Sequence, residues 1–217
     1  MRRRKVKGAM EKLLAYEGLV YEAEKLTDSF LGDLGWEDQA IWVEIGMGRG
    51  QFIIEYAKRH PDKMFVGIEM KEEVLLRALQ KLEDQAITNI RFVVGNANLM
   101  TEFFKAKSLE RIFVNFCDPW PKVRWEKRRL THRNYLESYH KLLVDDGEFH
   151  FKTDAEALFE FSMNEIFQVT YFNMMEIQLD LHAKELNVPT TEYEDKFSER
   201  GLKIYRMVAK KNNLEKG

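Results

Sequence analysis

The chain contains a single cysteine, Cys117, and four prolines in 217 residues. One thiol allows no internal disulfide, so a reducing compartment, the cytoplasm, is the simpler expectation. No apolar run approaches the roughly 20 residues that a bilayer-spanning helix requires. The arginines at the start have no apolar stretch behind them, so no secretory signal is expected. His132, His140 and His150 stand at no ligand spacing with cysteine or carboxylates, and no metal site is expected. Net charge is also scarce, at −2, which excludes a uniformly basic nucleic-acid binder. The positive charges are bunched, however. Arg2, Arg3, Arg4, Lys5 and Lys7 open the chain, and Lys122, Arg124, Lys127, Arg128, Arg129 and Arg133 crowd a second segment. What is present in quantity, 45% apolar and 32% charged residues, suits one folded core and not a disordered chain.

Apolar runs alternate with periodic stretches along the chain, which predicts strand, helix, strand in repetition. Strands are expected over 41–45, 64–68, 89–94, 111–116 and 148–152, with helices over 51–59, 71–85, 98–104, 135–143 and 155–164. Two final strands, over 170–177 and 203–209, have no helical pattern between them and predict an antiparallel hairpin; 180–201 reads as a long loop. This order specifies right-handed crossovers and a mostly parallel α/β sheet with helices on both faces. Residues 1–35 carry a basic tail and a helical pattern, expected as an appendage to a single domain over 36–217.

The first expected strand runs directly into Gly46-Met47-Gly48-Arg49-Gly50. Open parallel sheets bind ligands at the carboxyl ends of their strands, and glycines there let the backbone approach a ligand. A dinucleotide fingerprint would place a small residue at position 51, where this chain has Gln51, so NAD is disfavoured. Glu44, just before the loop, suits a ligand with a cationic amino group. Glu69 ends the second strand, 19 residues beyond Gly50, where a carboxylate accepts ribose hydroxyls; a solvated strand end is the plainer reading. Asn96 follows the third strand and reads equally as a cover for an adenine edge or as a helix N-cap. In this order, Glu44, Gly46, Gly48, Gly50, Glu69 and Asn96 resemble the class I methyltransferase fold, which is Rossmann-like. The resemblance implies a seven-stranded sheet with the last strand antiparallel, and S-adenosylmethionine as cofactor.

The fourth strand ends in Cys117-Asp118-Pro119-Trp120-Pro121-Lys122. Two prolines stiffen this turn and Trp120 offers a stacking face, either for a base or for the protein's own core. Cys117 precedes the turn and reads as a small buried strand residue. The fifth strand ends in Lys152-Thr153-Asp154, and the late segment holds Thr190-Thr191-Glu192-Tyr193-Glu194. Several carboxylates and a hydroxyl near one pocket match the N1–H and N2–H₂ donors of guanine. A small-molecule methyltransferase would explain the cofactor residues equally well and leave the basic run without a task; an RNA-binding module would do the reverse.

Asp-Pro-Trp-Pro-Lys, the basic run ending Lys-Arg-Arg-Leu, Thr-Asp after the fifth strand and Thr-Glu-Tyr-Glu together resemble the bacterial tRNA (guanine-N7)-methyltransferases. That resemblance implies tRNA as partner, with the guanine in the variable loop. It implies that Glu44, Glu69, Asn96 and Asp118 contact the cofactor and that Asp118 is catalytic. Lys122, Asp154, Thr191, Glu192, Tyr193 and Glu194 would hold the substrate, and Arg124, Trp125, Glu126, Lys127, Arg128 and Arg129 would meet RNA. Val123-Arg124-Trp125 departs from related sequences, which tend to carry Lys, then Lys or Arg, then His. A monomer and a homodimer both remain open.

Overall fold

The computed structural model describes residues 8–82, 87–183, 187–198 and 200–213. The basic cluster from Arg2 to Lys7 and the expected end of the second helix, over 83–85, lie outside the described residues. In chain order the elements are α1 (Ala9–Leu14), β1 (Val20–Glu22), α2 (Phe30–Asp33), β2 (Ile41–Ile45), α3 (Gln51–Arg59), β3 (Met64–Glu69), α4 (Glu72–Leu82), β4 (Ile90–Val94), α5 (Met100–Phe103) and β5 (Leu109–Asn115). Then follow α6 (Arg133–Leu142), β6 (Leu143–Thr153), α7 (Glu156–Gln168), β7 (Phe172–Gln178), α8 (Glu192–Ser198) and β8 (Tyr205–Lys211).

The eight strands among the described residues form one sheet in the order β1-β4-β3-β2-β5-β6-β8-β7. The expected seven strands are therefore corrected to eight. The extra one, β1, pairs in parallel with β4 through Val20 opposite Phe92, and it lies within the stretch read as a helical appendage. Three residues are too few to display a two-residue period, which is why the sequence hides it. The β7–β8 hairpin is antiparallel, with β8 seated between β6 and β7. A second correction concerns 180–201, expected as a loop: it contains a 3₁₀ turn at Leu181–Ala183 and the helix α8.

Alternation along the strands divides the core in two. Ile41, Val43 and Ile45 of β2 join Phe149 and Phe151 of β6 in one cluster, covered by apolar residues of α2, α5, α6 and α7. Trp42 joins Phe52, Phe65, Leu75, Leu79 and Phe113 in the other, under α3 and α4. Each such fully buried side chain contributes roughly 1.5–3 kcal/mol. Gly67 of β3 is required by close approach: a Cβ there would lie 2.2 Å from Sδ of Met47, which fills the space beneath the glycine loop. Strand order reverses between β2 and β5, so their carboxyl ends flank a crevice.

Candidate active site

That crevice opens into a cleft of about 990 Å³, walled by the glycine loop, the ends of β3, β4 and β5, the Asp118–Trp120 turn and the start of α8. Gly46, Gly48 and Gly50 have φ of 69°, 60° and 77°, the left-handed region in which glycine carries no steric penalty. Their surroundings differ. Gly46 and Gly48 line the cleft. Gly50 is buried outside it; a Cβ there would stand 3.0 Å from Cβ of Ala78 and 3.1 Å from Cδ1 of Ile54. Gly50 lets α3 and α4 pack, and is not placed to touch a ligand.

Glu69 does what the plainer reading overlooked. Its carboxylate accepts from the amides of Gly48 at 3.0 Å and Lys71 at 2.9 Å, so it pins the glycine loop while still lining the cleft. Asn96 also lines the cleft, and its side chain caps the following 3₁₀ turn by accepting from the Asn98 amide at 3.0 Å. The N-cap reading of Asn96 is observed, and its exposed edge still faces the cleft.

Glu44 is 1% exposed. Its Oε1 accepts from Nδ2 of Asn115 at 2.8 Å, whereas Glu44 Oε2 and Asn115 Oδ1 are buried and find no donor among the described residues. Sequence reasoning missed Asn115 entirely, because the two residues lie on neighbouring strands and nothing in local spacing joins them. Two orphaned acceptors side by side at the cleft floor suit an ammonium group, which brings three donors and a charge. They therefore fit the amino-acid end of an S-adenosylmethionine-like ligand.

Burial pushes the Glu44 carboxyl up to about 8, against the opposing effects of the Asn115 hydrogen bond and the Lys152 charge. With no ammonium bound, the folded state then holds a proton that an incoming ammonium would displace and that the unfolded chain releases in the ordinary carboxylate range. Its contribution is full at low pH and is lost as pH rises toward about 8. Glu44→Gln, neutral throughout, is expected to gain in melting temperature over the cofactor-free native protein as pH goes from 5 to 8. A difference that stays constant with pH would mean that Glu44 is ionised across the range.

Asp118 stands exposed on the cleft wall after β5. The turn around it is strained: Phe116 and Trp120 have φ of 52° and 42°, costing roughly 1–3 kcal/mol each. Arg129 holds that turn, donating to the carbonyls of Pro119 at 3.2 Å and Trp120 at 3.0 Å while its guanidinium lies 4.2 Å over Phe161. Arg129, expected to meet RNA, thus braces this turn through Nε and Nη2. Lys127 and Arg128 line the cleft. Trp120 and Trp125 meet edge to face with centroids 5.7 Å apart; Arg128 lies over the first indole, and Lys122 and Arg124 over the second, each at 5.0 Å. Glu126 is half-buried in the same 3₁₀ segment, Val123–Arg128, away from the cleft lining. Burial pushes the Cys117 thiol up to about 12, with Asp118 reinforcing it, so the thiol carries no nucleophile.

Thr191 to Glu194 is the first turn of α8, and its spacing is a capping box. Thr191 Oγ1 accepts from the Glu194 amide at 3.0 Å, and Glu194 Oε2 faces the Thr191 amide at 3.4 Å. This T-x-x-E signature was present in the sequence and would have announced the helix. Glu194 is 1% exposed and accepts from Lys152 Nζ at 2.6 Å; Lys152 also donates to the Pro189 carbonyl at 3.1 Å and sits 4.7 Å over Phe52. A direct substrate contact by Glu194 is corrected on this geometry: its carboxylate is sealed beneath α8. Thr191, Glu192 and Tyr193 line the cleft. Glu192 pairs with Lys81, and Gln51 Nε2 donates to Asp195 at 2.7 Å. Tyr193 donates to Asp154 Oδ2 at 3.2 Å, stacks on Phe197 and approaches Phe116. Burial, with Asp154 adding to it, pushes the Tyr193 hydroxyl up to about 12, so it remains a donor. Asp154 thereby reaches the cleft through Tyr193, while exposed Lys122 lies over Trp125, outside the cleft lining.

No helix among the described residues is long and apolar enough to cross a membrane, and among them no cluster suits a metal ion. A sequence family described as "Putative methyltransferase" matches residues 38–207. A tRNA (guanine-N(7)-)-methyltransferase of Clostridioides difficile (strain 630) is 49% identical over 98% of this chain and 100% of its own length. A protein of the same name from Brevibacillus brevis is 45% identical over 96% of this chain and 98% of its own. The fold is shared with the 16S rRNA methyltransferase KamB, at a TM-score of 0.65 and 9% identity, covering 87% of this chain and 95% of that one. It is shared also with the tRNA (m1A58) methyltransferase TrmI of Aquifex aeolicus, at 0.55 and 15% identity, covering 99% and 73%. A methyltransferase fold, a cleft with acceptors for an ammonium, and near half identity from end to end agree: the chain belongs to the tRNA (guanine-N(7)-)-methyltransferase family.

Proposed function

We propose that the cleft transfers a methyl group to N7 of a guanine in the variable loop of tRNA, with Asp118 as the catalytic residue and the first turn of α8 as a substrate wall. The chain is a S-adenosylmethionine-dependent tRNA (guanine-N7-)-methyltransferase, and we place its activity in the cytoplasm. The observation that carries this reading is the arrangement of one cleft. Glu44 and Asn115 offer unpaired acceptors on its floor, Asp118 and Tyr193 stand on its walls, and Lys127 and Arg128 border it.

The cofactor, when bound, supplies an electrophilic sulfonium methyl. Glu44 and Asn115 would hold its ammonium, Glu69 its ribose and Asn96 its adenine edge. Guanine N7 carries an in-plane lone pair, so no residue need remove a proton before attack. The protein's task is orientation, which supplies several kcal/mol, on the order of 7–11 in favourable cases. Methylation leaves positive charge on the purine. Asp118, accepting from the guanine N1–H or N2–H₂, offsets that charge as it develops. Asp154 orients Tyr193 against the base, and Lys122 with Arg124 and Trp125 meets the RNA outside the cleft.

The decisive substrate is a tRNA transcribed with 7-deazaguanosine, which has carbon and hydrogen at position 7. Unsubstituted transcript is expected to accept labelled methyl and to yield 7-methylguanosine on digestion, and the deaza transcript to accept none while binding equally well. Methyl transfer to the deaza transcript would move the acceptor away from N7.

A further inference from the structure

The cations best placed to extend this cleft lie across it from the basic segment. Gln51 at the start of α3 donates to Asp195 of α8 at 2.7 Å, which stitches the two helices together. Their sequence neighbours, Arg49 and Lys196, are thereby brought to one rim, and both line the cleft. The carboxylates of α8 and of the β3 end have partners of their own: Glu192 with Lys81, Glu194 with Lys152, Asp195 with Gln51, and Glu69 with two backbone amides. Among the described residues, neither Arg49 nor Lys196 has an ion-pair partner. Most cations outside the cleft lining do: Lys25, Lys63, Lys107 and Arg133 are each paired.

The two rims rise from opposite faces of the sheet. Lys127 and Arg128 belong to the segment that packs on Phe161, part of the core under α6 and α7. Arg49 and Lys196 belong to the side of Phe52 and α3. A nucleotide whose base enters the cleft leaves the phosphates on its two sides pointing toward both rims, and each unneutralised cation there releases a counterion on contact. From this geometry, and resting on the reading of the cleft as a tRNA methylation site, we infer that Arg49 and Lys196 form a second phosphate-binding rim. It holds the RNA strand on the side of the target nucleotide opposite Lys127 and Arg128.

The test is tRNA binding and methylation by the full chain with Arg49→Ala/Lys196→Ala. The double variant is expected to raise KM for tRNA about tenfold, with kcat retained at saturating tRNA. The slope of log affinity against log salt should become shallower by about 1 to 2, from a loss of roughly 0.7–0.9 for each phosphate contact. S-adenosylhomocysteine affinity should not change, and Arg49→Lys/Lys196→Arg should restore tRNA binding. Unchanged KM and slope would overturn the inference. So would an equal loss of S-adenosylhomocysteine binding, which would assign Arg49 to the cofactor. Failure of the unaltered protein to methylate or bind tRNA would instead overturn the functional reading itself.

Discussion

An Asp118→Ala variant is expected to turn over tRNA about 10²–10³-fold more slowly than the unaltered protein, the loss that follows when one charge-stabilising group is removed from the transition state. Its melting temperature should be unchanged, because Asp118 is exposed on the cleft wall and the turn around it is held by Arg129. Asp118→Asn should lose nearly as much, since the amide keeps the shape but gives up the charge that offsets the methylated purine. The split between constants assigns the role. A fall in kcat at saturating cofactor and tRNA places Asp118 on the reacting base. Normal kcat with a raised KM for the cofactor would leave it a binding residue only, and unchanged kinetics would remove it from the site.

Lys152→Met removes the buried ammonium from the Glu194 carboxylate, 1% exposed, and leaves beside it Nε2 of His182 at 3.2 Å and the Thr191 amide at 3.4 Å. Removing one partner of a buried ion pair destabilises by about 3–5 kcal/mol, whereas replacing both is often close to neutral. Lys152→Met is therefore expected to lower the melting temperature sharply, and Lys152→Met/Glu194→Gln to recover most of it. The pair also joins β6 to the first turn of α8, where Thr191, Glu192 and Tyr193 line the cleft. In the double variant the tRNA KM should stay raised although stability has returned, because α8 keeps its cap through Thr191 and loses its anchor. A double variant as unstable as the single one would show that the ion pair is not what links these elements. A fully restored KM would show that α8 does not need the anchor.

Legibility in the sequence followed the range of each interaction. The central strands were readable because parallel strands covered on both faces appear as unbroken apolar runs, as in Ile41–Ile45. The glycine loop and Glu69 were readable because they lie at fixed short spacings. Strand β1 was too short to show its period, and α8 was concealed within a polar stretch although its capping box was written in Thr191 and Glu194. The pairing of Glu44 with Asn115, of Gln51 with Asp195 and of Arg129 with the Trp120 carbonyl could not be read. Each depends on segments brought together only by the folded sheet or by a strained turn. The residue types were visible, and their partners were not. Glu194 shows the risk: a carboxylate in the right motif proved to be a buried tether.

The two indoles at the cleft mouth carry one more consequence. Of the chain's four tryptophans, Trp36 and Trp42 are buried in the two cores, whereas Trp120 and Trp125 are half-buried beside the basic segment. The protein therefore contains two optically separate populations of fluorophore. The mouth pair should emit at longer wavelength and be accessible to a soluble quencher, while the core pair is shielded. A base stacking on Trp120, or a phosphate drawing Arg128 off its ring, would alter only the accessible fraction. The same indoles that border the RNA path would then serve as a native, label-free signal for timing its arrival.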